Sequence, residues 1–280
     1  MLRDDTEDSR RRWLRSPAGW VGTAVLAGIG LAIGGFAQRT VESIPDRLRA
    51  PVEVAVTTDY GQMQAAYLGV PEYVIPLSPD QIETPPGWEE GLEARQRWVE
   101  ELGGASANAT WVQVDIRGRS SRPVLLTDLR VNVVERRPPI DGTVIDYGDF
   151  GDVIPERIVE FSLLDDPPRL VSSTDDRWLH GAIAESEAKP IDFPYRVSST
   201  EPELFYVLVH TYPYRPELDD AGGCDCLWNL KLPYSDGTET GTMTIDDDGK
   251  PFRTTSTVDG APEAESYNGE PLSVTNPGKT

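Results

Sequence analysis

The chain reads as mainly β, with one N-terminal transmembrane helix ahead of an exported domain. Three observations predict this class. Residues 16–38 hold no charged side chain. From residue 111 onward, about eight short runs rich in Val, Ile, Thr and aromatics alternate with Gly, Pro and Asp clusters. Before them, residues 87–104 carry the one helical period of the exported part.

The first segment, 1–16, is Arg-rich and expected in the cytoplasm. It carries five Arg against Asp4, Asp5, Glu7 and Asp8, a net of +1. The uncharged stretch that follows, placed as a transmembrane helix at 17–38, is long enough to cross the hydrocarbon core at 1.5 Å per residue. Arg10, Arg11, Arg12 and Arg15 crowd its leading end, while Arg39, Arg47 and Arg49 are sparser behind it. The positive-inside rule therefore sets the N-terminus in the cytoplasm and the rest of the chain outside the cell membrane. Gly30 and Gly34 form a small-residue pair on one helix face, the kind that lets two spans approach as a dimer.

A cleaved export signal is the rival reading of the same residues. "SRRRWLR" (9–15) resembles the twin-arginine motif at Ser9, Arg10, Arg11 and Leu14, with Trp13 for Phe and Arg15 for Lys. Gly35-Phe36-Ala37 supplies a small-x-Ala cleavage pattern. Both readings export everything from residue 39.

Residues 39–110 are expected as a juxtamembrane linker, a strand and a helix. In "PVEVAVTT" (51–58), Val52, Val54 and Val56 alternate inward as in a half-buried strand. In "GWEEGLEARQRWVEELGG" (87–104), Trp88, Leu92, Val99 and Leu102 recur at helical spacing. Trp88 and Trp98 read as core packing. Residues 111–257 then predict the strands of an immunoglobulin-like antiparallel β-sandwich with that single accessory helix. The runs are 111–118, 122–137, 157–164, 191–198, 203–212, 226–234, 240–246 and 251–257. "DDDGK" (246–250) reads as a hairpin turn with Gly249 at positive φ. From 258 to 280 there is no periodicity, which predicts a disordered tail.

This layout resembles uncharacterised actinobacterial single-pass membrane proteins with an exported β-domain. The block "CDCLWNLKLPYSDGTETGTMTIDDDGKPF" (224–252) carries the resemblance, which extends over the second half of the chain. It implies placement and fold, and brings no activity.

Composition narrows the function classes. The net charge is −21, and residues 39–280 carry −22 of it, because 17–38 are uncharged. Binding a phosphate backbone needs clustered Lys and Arg, so nucleic acid is not an expected partner. No Gly-x-Ser-x-Gly elbow frames a serine and no Gly-rich phosphate loop is present, so neither catalytic residues nor a cofactor are expected. The expected partners are the bilayer, through 17–38, and a protein or other component of the envelope.

The two cysteines, Cys224 and Cys226, are the chemical feature left. Zinc needs four ligands, and Cys224, Cys226, His180 and His210 are the only soft candidates; their spacing matches no zinc module. An exported metal-binding or hydrolytic protein is thus the alternative function. The oxidising side of the membrane favours a disulfide within the pair, with free thiols or an intermolecular bond as the other states. Geometry resists the disulfide: residues i and i+2 of a regular strand lie roughly 6.5 Å apart. A bend is needed, and Gly222-Gly223 permits one. Trp228 is expected in the core beside it.

Overall fold

The computed structural model describes residues 50–63, 72–146, 157–170, 189–190, 193–211, 223–265 and 273–275. The chain divides into two compact units, 1–49 and 50–280, and every described residue belongs to the second. The cytoplasmic segment, the span at 17–38 with Gly30 and Gly34, and His180 lie outside the described residues. Among the described residues no helix is long and apolar enough to cross a membrane.

The strands run in chain order as β1 (Val52–Thr57), β2 (Tyr73–Ile75), β3 (Ala105–Ala107), β4 (Ala109–Gly118), β5 (Val124–Leu126) and β6 (Arg130–Arg137). They continue as β7 (Thr143–Asp146), β8 (Arg157–Ser162), β9 (Arg169–Leu170), β10 (Lys189–Pro190), β11 (Tyr195–Val197) and β12 (Glu203–His210). The last are β13 (Asp225–Ser235), β14 (Thr240–Ile245), β15 (Phe252–Thr255), β16 (Glu263–Glu265) and β17 (Ser273–Thr275). The helix α1 (Leu92–Glu101) falls between β2 and β3.

They form two sheets. The first runs β1-β4-β12-β8-β10, with β9 on β8. The second runs β11-β5-β13-β15-β3-β2-β7-β16-β17, with β6 and β14 also on β13. The main core lies between them. Val52, Val112, Val114, Ile116, Phe205, Val207 and Val209 on the first sheet meet Leu126, Trp228, Leu230, Leu232 and Phe252 on the second. These are the alternating apolar positions of each run, as a pleated strand requires.

The expected antiparallel sandwich needs correction, because both sheets are mixed. β12 is antiparallel to β4 but parallel to β8. β15 with β3 and β16 with β7 are also parallel. Parallel neighbours need a long return path, and the chain between β8 and β12 supplies one. The alternation of apolar residues marks a strand and its buried face; it does not encode the direction of its neighbour.

Several element boundaries shift for local reasons. The run at 122–137 divides into β5 and β6, which pair with β13 in registers one residue apart: Leu126 lies opposite Tyr234, but Arg130 lies opposite Lys231. The helix begins after Gly91, at φ +83°, which separates it from a single 3-10 turn over Trp88–Glu90. Val99, with Trp98 and Leu102, packs the helix on Tyr73, Ile75 and Ile145. "DDDGK" is locally a tight turn, with Asp248 and Gly249 both at positive φ and Asp247 bridged to Lys250. Yet β14 and β15, which it links, both pair with β13 and not with each other. Within the expected tail, β16 pairs with β7 and buries Ala264 completely. A lone alanine between two glutamates carries no period, so that strand has no signature in the sequence.

One residue joins the two sheets. Asn108 stands between β3 of the second sheet and β4 of the first, with φ +60°. Asn tolerates this left-handed conformation better than other non-Gly residues. Its Oδ1 accepts hydrogen bonds from Thr257 N–H at 2.9 Å and Thr257 Oγ1 at 3.2 Å, which fix the corner.

Candidate functional site

The cysteine pair opens β13. Gly223, at φ +29°, leads into it, and a side chain there would meet Ser256 at 2.5 Å. Cys224 N–H donates to Ser256 Oγ at 2.9 Å, and Ser256 N–H donates to the Cys224 carbonyl at 2.8 Å. Cys224 is thereby held just outside the strand, while Cys226 lies within it. The departure from strand geometry brings the two Cα atoms to 5.4 Å, and the sulfurs stand at a bonding distance of 2.08 Å. Both cysteines are fully buried in the inter-sheet core with Trp228.

Asp225, between them, serves the opposite face of the strand. Asp225 is only 3% exposed. Arg253 on β15 donates to it twice, Nε to Oδ1 at 2.7 Å and Nη2 to Oδ2 at 2.8 Å. The third Arg253 nitrogen, Nη1, donates to the Gly103 carbonyl at 3.1 Å. Arg137 Nη1 stands 3.9 Å from Asp225 Oδ2. One buried carboxylate thus ties together β13, β15 and the corner after α1. On the cysteine side, Trp228 Nε1 donates to Thr254 Oγ1 at 2.9 Å, which in turn shares a 2.7 Å hydrogen bond with Thr110 Oγ1. The indole is satisfied without water.

His210 goes elsewhere. On β12 the residues Phe205, Val207 and Val209 face the main core, so His210 is on the other face of the first sheet. There it meets Glu160 of β8, Nε2 to Oε1 at 3.3 Å, both groups essentially without solvent contact. Ser162, Tyr206 and Gln113 are buried on the same face. The four soft candidates therefore do not converge. The two sulfurs bond each other, His210 faces away from them, and His180 lies outside the described residues. Among the described residues no group of three His, Cys, Asp or Glu side chains is arranged to hold a metal ion.

A cavity of about 390 Å³ lies between α1 and β15. Tyr60, Tyr73, Gln96, Glu100, Asp247 and Lys250 contribute to its wall. Its volume suits a small molecule. Burial is the main cause that pushes the Asp247 carboxyl above the ordinary range, and neighbouring Asp248 adds to it. Asp247 and Lys250 belong to the "DDDGK" turn, which the sequence marked only as a turn; the others did not stand out, because the six come from four separate segments and share no motif. Asp225 and Arg253 were equally hidden: a charge inside a strand run reads as a solvated position until its partner is seen. Neither a family model, nor a curated protein, nor a solved structure matches this chain.

Proposed function

We propose that this chain is a non-catalytic, membrane-anchored extracytoplasmic protein that binds a partner in the cell envelope. Residues 17–38 anchor it, the N-terminus lies in the cytoplasm, and the acidic domain from residue 39 stands outside. The observation that carries the reading is the pairing of Cys224 with Cys226 inside the domain core. A disulfide of this kind persists on the oxidising side of a membrane and is rare on the other. The uncharged run at 16–38, with its Arg-rich leading end, supports the same placement. The cavity beside α1 is the place where such a module would take a small ligand.

Cells expressing the full chain test this. Thiols are blocked with an alkylating reagent during lysis, the membrane fraction is collected, and vesicles of known orientation are treated with protease. The expected result is an unalkylated Cys224–Cys226 peptide and a β-domain digested only from the periplasmic or outer side. Alkylated cysteines, or a domain protected with the cytoplasm, overturns the placement. An intact N-terminus on the membrane-bound protein selects the anchor over a cleaved twin-arginine signal.

A further inference from the structure

β1 is the edge of its sheet. β4 pairs with it along one side, and among the described residues no strand pairs with the other. The ladder itself shows which groups that edge offers. Arg119 N–H donates to the Pro51 carbonyl at 2.9 Å, in register with the β1–β4 pairing. Residues 51, 53, 55 and 57 therefore turn their peptide groups toward β4. The N–H and C=O groups of Val52, Val54 and Val56 point out of the sheet edge.

A groove of about 680 Å³ runs beside this edge; Val52, Val54, Ile116 and Met243 form its apolar part, and Glu53, Asp115, Arg117 and Arg119, two charges of each sign, also line it. Met243 belongs to β14, which among the described residues pairs only with β13. The gap has a topological origin. The strand that lies against β15 as β3 leaves that sheet at Asn108 and continues in the other sheet as β4. No described strand takes its place along β14.

Natural edges are usually blocked by charges, bulges or cover. β1 carries one charge, Glu53, and Arg119 pairs with it. On a chain of net charge −21 this is a locally neutral strip.

We propose that β1 is a self-association edge, at which two copies of this chain pair their β1 strands antiparallel about a two-fold axis through Val54. The backbone and the side chains together set the register. The outward groups belong to the even-numbered residues, so the axis must pass through a residue and not between two. An axis at Glu53 sets that carboxylate against its own copy, and an axis at Ala55 moves Val52 opposite residue 58, past the end of β1. An axis at Val52 or Val56 runs off one end of the strand. Centred on Val54, Val52 meets the partner's Val56, Val54 meets the partner's Val54, and Val56 meets the partner's Val52. All three are hydrogen-bonding pairs. Glu53 then faces the partner's Ala55, which keeps like charges from opposing each other. The inner valines of both strands extend one apolar surface across the groove beside Met243. Such an interface is isologous and closes on itself as a dimer.

The test is cross-linking of the full chain in detergent or in native membranes, under mild oxidation. The native cysteines are bonded and buried, so they do not compete. Directly opposed residues of a hydrogen-bonded pair lie about 5.5 Å apart between Cα atoms, within disulfide range. V54C is expected to give a disulfide-linked dimer. E53C alone and A55C alone are expected to stay monomeric, while E53C mixed with A55C cross-links. V134C, exposed on β6, reports random collision and is expected to stay monomeric. Adding A55D to V54C sets a carboxylate against the partner's Glu53 and abolishes the dimer band; A55K, which sets a cation there, keeps it. A monomeric V54C, or equal cross-linking at 54, 55 and 134, overturns the proposal. A dimer held by any other segment lacks this dependence on position.

Discussion

Arg253 grips Asp225 through both carboxylate oxygens, at 2.7 and 2.8 Å, and the gripped residue is the one that separates the two cysteines. Asp225 is 3% exposed, so water cannot take the place of that partner. Arg137, at 3.9 Å, is too distant to replace two direct hydrogen bonds. Removing one partner of a buried pair costs more than the pair contributes, because the other charge stays behind. R253A is expected to destabilise the domain by about 3 kcal/mol. R253K keeps the charge but not the fork, and should fall between R253A and wild type. Urea unfolding followed by Trp fluorescence measures both. If R253A unfolds at the wild-type midpoint, the pair is not what fixes this corner.

The disulfide closes a very small ring, so it constrains few unfolded conformations. In the chain-entropy account a ring of this size contributes roughly 1–2 kcal/mol. C224A/C226A is expected to fold and to lose about that much stability. Both sulfurs are fully buried, so dithiothreitol should reduce the bond slowly in native buffer and rapidly in denaturant. Alkylation followed by mass spectrometry reads the difference. Equal reduction rates in the two conditions would show that the pair opens without unfolding.

The sequence was informative where one local pattern decides the outcome. Val52, Val54 and Val56 alternate, and they are inward in β1. Val99 and Leu102 lie on the packed side of α1. Gly222-Gly223 before Cys224 signalled a departure from strand geometry, and Gly223 does adopt positive φ. It was silent where the outcome depends on a distant partner. Glu160 within "RIVEFSLL" looks like an outward position, and only its neighbour strand reveals His210 beside it. The parallel pairing of β8 with β12 depends on how the intervening chain returns, which no periodicity records. Arg95 occupies a buried helix position because Pro86, outside the helical period, offers its carbonyl at 2.9 Å.

Asn108 meets two demands at once, and they separate by substitution. Its backbone is left-handed, which costs an L residue about 1 kcal/mol or more. Its Oδ1 accepts from the backbone and the hydroxyl of Thr257. Thr257 is half-buried, so leaving its N–H without this acceptor should cost about 1 kcal/mol, the low end for an unsatisfied donor. N108D keeps an acceptor and tolerates the conformation, so its stability should stay closest to wild type. N108G relieves the backbone but loses the acceptor, and should be intermediate. N108A loses on both counts and should fall lowest. Unfolding midpoints give the order. If N108G and N108A coincide, the left-handed backbone contributes nothing; if N108D falls with N108A, the acceptor is not what matters.

Two acidic turns are set to titrate in opposite directions. In the turn between β13 and β14, the Asp236 carboxyl is held at about 2, below its ordinary value of 3.8. The hydroxyl of Thr238 is the main cause, followed by the N–H groups of Glu239 and Thr238. These donors favour the charged form. A depressed acid stabilises the fold above its ordinary pKa, and that contribution fades as pH falls through about 2. Asp247, raised mainly by burial and then by Asp248, has the reverse sign: it favours the fold more as pH falls and the carboxyl takes up its proton. In an acid titration followed by carboxyl NMR shifts, Asp247 is therefore expected to protonate first and Asp236 last. T238A removes the leading cause and should move the Asp236 titration upward, toward 3.8, while leaving Asp247 in place. An Asp236 midpoint that does not respond to T238A would mean that the backbone donors, not the hydroxyl, hold the charge.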